Sequence, residues 1–561
     1  MSWRTEAMAF GHMVSAGHEL AALAAFEILE NGGNAVDAGV AGGIALGVVQ
    51  SDLVNVAGVA PIMIRMAGAR APVSIAGLGV WPSALDPNLF VREHGGRIPQ
   101  GILRTVVPAA PAAWIKALEL HGTMGFAAVA APAIRLAREG FPMHPLMAAL
   151  IAEHAADYAR YPASAAIYLP GGRPPAVGDR FVQAELADTL QYMADEAARG
   201  RDRHDGLARA RAAFYRGDIA HAIVRFHETE GGLLRERDFA EYEVEVETPP
   251  AVDYRGGRLW VSGPWSQGTS LAQVVNLLQA FDWTGVEHNG AEHLHRVVEC
   301  IKIAFADRDA LVGDPNVVDV PLARLLDPAY ARERLRAVYR ERRAHPDMPR
   351  PPGAPTEAPR ATGGDTPPGD TSYLAVVDRH GNAFSATPSD VSYSSPVVPG
   401  TGLVPSARGS ASWADPAHPC AAAPGKRPRL TPNPAIWQTP DGGAMPFGTP
   451  GGDVQVQAMA QFLLNLHVFG LRPQEAVERA RGATYSFPGT FEPHTMHPAR
   501  INLEAELAER VGAELAARGH DVVAWPERTY LAGAVCAVVP GADGLLIGAA
   551  DPRRPTLAVG R

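Results

Sequence analysis

Cysteine is scarce: Cys300, Cys420 and Cys536 are the only three in 561 residues, far apart and odd in number. Such a set supports neither a disulfide framework nor a metal knuckle, and the three read as reduced structural thiols. A basic excess is missing too. The formal charge is -10, and the Arg-rich runs are broken by Glu and Asp, so the positive face that a nucleic-acid partner requires is not there. No run is long and apolar enough to span a bilayer; the best, Ala35 to Val49, is short, Gly-rich and interrupted by Asp37. Met1-Ser2-Trp3-Arg4-Thr5-Glu6 leads into a polar segment without the charged and apolar regions of a secretory signal. Neither a nucleic acid nor a membrane is expected as a partner, and the expected compartment is the cytoplasm.

Several catalytic signatures are likewise missing. Serine-hydrolase elbow, P-loop and zincin patterns do not occur at the spacings their chemistry needs. The glycines between Gly39 and Gly47 follow no strand, which excludes a dinucleotide fingerprint. His293, His295 and Glu299 fall on one predicted helix, but a His-x-His pair cannot face one way there, so a polar face is expected rather than a metal site. No metal or organic cofactor is implied.

What is present is an ordinary globular composition with legible punctuation. Glu19 to Glu30 carries apolar residues at helical spacing and stops at Asn31-Gly32-Gly33; Asn34 then caps a second helix lined with small residues that allow close packing. Residues 59 to 77 read as strand, turn and strand, and residues 81 to 102 as loop. Pro108 to Leu120 and Phe126 to Arg138 read as two helices. Between about 180 and 345 helices dominate, including Ala291 to Asp309, with one strand pair from Tyr242 to Val246 and Leu259 to Val261. Ala534 to Val539 and Leu545 to Ala549 are closing strands. The expected fold mixes helices in the first two thirds with strands framing the end.

The most informative stretch is Gly369-Asp370-Thr371-Ser372-Tyr373. It lies where a Pro-rich segment, 344 to 370, gives way to the apolar run Leu374-Ala375-Val376-Val377, which reads as the first strand of a hairpin closed by Asp378 to Asn382 and continued by Ala383 to Thr387. A flexible, accessible segment ending at a buried strand is a place where a chain can be cut. A buried Thr hydroxyl is a poor nucleophile alone, but if the preceding bond is broken the new α-amine can serve as its base. Further on, Gly448-Thr449-Pro450-Gly451-Gly452-Asp453 enters a helix from Val454 to Leu466. A double Gly there serves a tight turn, or leaves backbone N–H groups free to meet an oxyanion.

Seven blocks occur in the order found in the γ-glutamyltransferase family, and the chain resembles that family over nearly its whole length. They are Gly11-His12-Met13-Val14-Ser15, Ile28 to Ala38, Ala213-Phe214-Tyr215-Arg216-Gly217, Ala304-Phe305-Ala306-Asp307-Arg308, Asp370-Thr371-Ser372-Tyr373, Ala423 to Pro428 and Thr449-Pro450-Gly451-Gly452-Asp453. The resemblance implies an N-terminal-nucleophile hydrolase: a four-layer αββα sandwich, of α+β class, with helices mainly in the large subunit. It implies a proenzyme that cuts itself between Asp370 and Thr371. Residues 1 to 370 become a large subunit and 371 to 561 a small one, the two staying together as a heterodimer that could pair again. Thr371 is then the nucleophile, Gly451 and Gly452 the oxyanion-hole pair, and Ser389 a hydroxyl bonded to the nucleophile.

Departures from the family pattern point away from a standard γ-glutamyl group. Trp81 to Pro87 has no Arg for the glutamyl α-carboxylate, although Arg92, Arg97 or Arg104 could compensate, and Ser406 to Trp413 has no acid for its α-amine. Losing these charged partners weakens recognition by several kcal/mol, on the order of the worth of charged hydrogen bonds. Ala414 to Pro424 is too short for the lid of some relatives. Arg408 resembles a branch that includes an oxamate amidohydrolase and acylase-like proteins; it could bind a substrate carboxylate or form a structural salt bridge. Thr431 falls on a hydroxyl position that lines the glutamyl site in relatives. The expected substrate is a small-molecule amide. The alternatives are a true γ-glutamyl hydrolase or transpeptidase acting on glutathione-like compounds, and an unprocessed binding protein of the same fold.

Overall fold

The structure is a computed structural model and describes residues 3–354 and 370–561. Two seven-stranded sheets form its centre. In the first, Leu374–Val377 lies in the interior between Met13–Ala16 and Ala383–Ala386, antiparallel to both. Leu557–Gly560 flanks one side of this group, and Ile62–Arg65, Val73–Ile75 and Val246–Glu247 extend the other. In the second sheet the order runs Ala7–Ala9, Leu546–Ala550, Cys536–Pro540, Ala444–Gly448, Ala435–Gln438, Gly257–Trp260, Ala251–Tyr254. Each sheet therefore draws strands from both sides of residue 370.

Alternation along Leu374–Val377 explains the layering. Ala375 and Val377 join Met13, Met63, Ile436 and Val538 in an apolar layer between the sheets, whereas Leu374 and Val376 face the helices Glu19–Glu30 and Ala35–Val49. The second of these helices begins at Asn34, whose side chain accepts from the N–H groups of Val36 and Asp37 while the Asp37 carboxylate accepts from the Asn34 N–H. Its glycines permit close contact with the sheet: a Cβ on Gly39 would stand 2.2 Å from the Phe384 ring. On the outer side of the second sheet, Gly268–Gln279, Ala291–Leu311 and Val454–His467 pack in one core with Leu259 and Phe447. The result is the expected αββα sandwich.

The structure corrects some local expectations. Residues 242 to 246 and 259 to 261 do not pair. Val246–Glu247 joins the edge of the first sheet, and Gly257–Trp260 pairs with Ala251–Tyr254 in the second. These short segments carry too little alternation to reveal a partner, and the sheet edges decide. Leu89–Glu93 forms a short helix inside the expected loop. Strands also occur early in the chain, and a small sheet of Gly482–Thr484, Arg500–Glu504 and Asp521–Trp525 lies apart from the sandwich. In the Pro-rich segment, residues 344–354 have no helix or strand but are not loose: Ala344 and Met348 are buried, and the Ala344 N–H bonds the Arg518 carbonyl at 2.7 Å. Residues 355–369 lie outside the described residues.

Candidate active site

The hairpin fixes who faces Thr371. Leu374 pairs with Ala386, and the same register carried three residues beyond the ladder sets Thr371 opposite Ser389 in an antiparallel bridge. Both are wholly buried. Thr371 Oγ1 lies 2.8 Å from Ser389 Oγ, and Ser389 Oγ donates to the Asp370 carbonyl oxygen at 2.7 Å. One hydroxyl thus touches both the proposed nucleophile and the carbonyl of the bond before it.

Arg408 completes this contact from a short 3-10 turn, Arg408–Ala411. Its Nη2 donates to Ser389 Oγ and approaches the Asp370 carbonyl oxygen at 3.4 Å, while its Nε stands 3.3 Å from Asp390. Arg408 thus pairs with Asp390 and also borders the cavity described below. Burial lowers the Arg408 pKa and raises that of Asp390, and each is opposed by the charge of the other.

Asp370 has a second, stronger tie. Its carboxylate meets Arg554 through two contacts of 2.9 Å, and its Oδ1 accepts from the Thr371 N–H at 2.7 Å. Burial pushes the Asp370 carboxyl up and Arg554 pulls it back. Nearby Asp52 is buried without any side chain bonded to either carboxyl oxygen; burial, and then the charge of Asp370, raise it to about 7. Neither Arg554 nor Asp52 stands out in the sequence, because nothing local marks a residue whose partner lies 184 positions away.

The double Gly sits at the start of the helix Val454–His467 with φ values of +117° at Gly451 and +56° at Gly452, which glycine adopts readily. Their N–H groups bond no other residue among the described ones. The first turn of that helix points at Thr371, because the Gln455 amide comes within 3.4 Å of Thr371 Oγ1. The Gln455 amide is best satisfied with its nitrogen on the carbonyls of Thr449 and Thr431, 3.3 and 3.2 Å away, which turns its oxygen to the Thr371 hydroxyl. Thr431 is thus held through its backbone beside Thr371; its buried hydroxyl has no partner among the described residues. Beneath the turn, Asp453 binds Arg308 at 2.6 Å and accepts from the Thr490 N–H at 2.7 Å.

A cavity of about 540 Å³ opens against Asp370, bordered by Arg97, Arg104, Asp157, Tyr393, Arg408 and Glu492 among others. Of the three arginines that could replace the absent one, Arg92 is exposed and pairs with Asp86 and Glu93, away from this cavity. Arg97 pairs with Glu492 at 3.0 Å. Among the described residues Arg104 has neutral acceptors only, the carbonyls of Pro99 and Ile98 and the Ser394 hydroxyl. Burial lowers Arg104 to about 10, which leaves it charged at neutral pH.

His293 and His295 do part, as their spacing requires. His295 meets His520 at 2.9 Å, and Glu299 lies close enough that the three could hold a metal ion. That grouping was not legible in the sequence, because His520 comes from beyond the helix Ala505–Ala517. Glu299 also has a buried cation, Lys302, at 2.7 Å, and accepts from the His345 N–H at 3.0 Å.

Comparison with known proteins places the chain in one family. The model of the gamma-glutamyltranspeptidase family covers residues 21–560. Acylase ACY 1 proenzyme of Pseudomonas sp. (strain SE83) is 32% identical over 96% of this chain and 91% of its own length. Oxamate amidohydrolase proenzyme of Klebsiella pneumoniae is 30% identical over 98% of both chains. Among solved structures, cephalosporin acylase from Bacillus halodurans superposes with a TM-score of 0.86 at 28% identity, covering 100% of this chain and 97% of the other. With the αββα fold and a match over nearly all its length, the chain belongs to the gamma-glutamyltranspeptidase family.

Proposed function

We propose that this chain is a self-processing amidohydrolase that cleaves a small amide through an acyl-enzyme on Thr371, its acyl group being other than a standard γ-glutamyl. The observation that carries the reading is the chain of contacts from Thr371 Oγ1 to Ser389 Oγ to the Asp370 carbonyl oxygen. In the precursor, Thr371 Oγ1 attacks the Asp370 carbonyl carbon, the Asp370–Thr371 amide breaks as the nitrogen takes a proton, and an ester to Oγ1 results. Water then hydrolyses that ester, freeing the Asp370 α-carboxylate and the Thr371 α-amine. The two pieces stay associated because both sheets interleave strands from each.

In the cut enzyme the α-amine accepts the Oγ1 proton as Oγ1 attacks the substrate amide. The N–H groups of Gly451 and Gly452 hold the resulting oxyanion. The leaving amine departs with that proton, and water releases the acid from the ester. A glutamyl zwitterion fits poorly: the position at which relatives hold its ammonium with an acid carries Arg408, whose guanidinium engages Asp390. Compartment and higher assembly follow no feature of the site; the cytoplasm remains our proposal, and no described helix is long and apolar enough to cross a membrane.

The test is the intact mass of purified protein under denaturing conditions. Wild type should give two fragments meeting between Asp370 and Thr371, and Thr371→Ala a single chain. A folded wild type that stays whole would overturn the catalytic reading and favour the binding-protein alternative.

A further inference from the structure

Arg554 stands directly behind Asp370. Both of its terminal nitrogens engage the Asp370 carboxylate at 2.9 Å, and Nη1 reaches the Thr371 carbonyl oxygen at 3.5 Å. The guanidinium is buried; the Tyr530 carbonyl takes a further bond at 3.2 Å, and the Tyr530 ring lies 5.6 Å from its centre. Among the described residues no other carboxylate is within ion-pair distance, and Nε has no partner. Asp370 borders the large cavity and Arg554 does not. The side chain separating the cavity from this arginine therefore belongs to the residue at which the chain is proposed to be cut.

We propose that Asp370 is a placeholder: its carboxylate fills, on Arg554, the site that the free carboxylate of an amide substrate takes after cleavage. The inference rests on Thr371 being the nucleophile. Cleavage gives Asp370 a second carboxylate beside the first: the Arg554 fork is filled by the side chain, and Arg408, 3.4 Å from the carbonyl oxygen that becomes this carboxylate, is already paired with Asp390, with Asp52 close by. Repulsion drives the new end out and leaves a buried cation that needs an anion. Because Arg554 reaches the Thr371 carbonyl, a carboxylate held there lies only a few bonds from a carbonyl at Oγ1.

The decisive measurement is calorimetric binding of succinate, with neutral succinamide as control, to full chains that cannot process. Thr371→Ala keeps Asp370 in place and should bind neither. Adding Asp370→Ala should make succinate bind at least about tenfold more tightly than succinamide, and adding Arg554→Gln as a third change should abolish that preference. If removing Asp370 destabilises the chain, thermal melts keep the test open, since succinate but not succinamide should raise the midpoint. Equal binding with and without Asp370, a preference that survives Arg554→Gln, or no rescue, as when Asp52 takes the arginine instead, overturns the proposal. These readouts need no activity. A wild type that cuts itself while the site ignores succinate refutes the carboxylate assignment alone.

Discussion

Ser389 Oγ is shared between Thr371 Oγ1 at 2.8 Å and the Asp370 carbonyl oxygen at 2.7 Å. A serine hydroxyl has a single proton. Given to the carbonyl, that proton polarises the Asp370–Thr371 bond and obliges Ser389 to accept from Thr371, which directs the Thr371 oxygen's lone pairs elsewhere. Ser389→Ala should therefore slow self-cleavage by roughly a hundredfold, the scale of one positioned proton-transfer group, while Ser389→Thr, which keeps the hydroxyl, should stay within a few fold. Timed gel analysis of freshly purified precursor measures both.

Gly451→Ala addresses the oxyanion role. At φ +117° an alanine is strained and the N–H would be displaced, although the nearest atom to its Cβ, in Gly533, is 3.5 Å away. The expected result is kcat lower by about a hundredfold with little change in KM, the signature of a donor that acts on the transition state. Steady-state kinetics on the processed enzyme would show it; a change in KM alone would argue for a turn without a catalytic part.

Asp52 gives the stability a pH dependence. Its folded pKa, about 7, lies above the ordinary 3.8, so the folded state binds the proton more tightly than the unfolded chain does. Below about pH 4 both states are protonated and the burial carries no ionic penalty; as pH rises towards 7 stability falls, and above 7 the loss is complete. Asp52→Asn should match wild type at pH 4 and exceed it at pH 8 by up to about 4 kcal/mol. Denaturant melts at the two pH values give the comparison.

Arg308 supports the double-Gly turn from below. It is fully buried against Asp453 at 2.6 Å and also bonds the Pro488 carbonyl at 2.9 Å. Arg308→Ala strands Asp453 as an uncompensated buried charge and should destabilise the protein by about 3–5 kcal/mol. A fall in the urea midpoint with unchanged slope would be the result, and a loss below about 1 kcal/mol would show that Thr490 and Gln267 suffice to hold Asp453.

The parts of the site that the sequence disclosed are those written in short-range pattern. Helix Glu19–Glu30 appears at its expected ends because apolar spacing and the Asn31-Gly32 stop act within a few residues. The capping Asn34, the Leu374–Val377 hairpin and the double Gly before Val454 are of the same kind. Once the hairpin turn is placed, the Thr371–Ser389 pairing follows from its register. Residues 242 to 246 were misassigned because two short strands beside each other in sequence need not be neighbours in a sheet.

The sequence by itself determined the strand that follows Thr371, the double-Gly turn and the family, all properties of local backbone preference and of ordered motifs. Only the tertiary structure decided which charges meet there: Arg554 on Asp370, Arg408 on Asp390 rather than free in the cavity, Gln455 against Thr371, and Asp52 without a side-chain partner. An ion pair between distant residues leaves no periodicity in the chain. It exists because two sheets stack in one register and burial then forces each charge to find a counterpart.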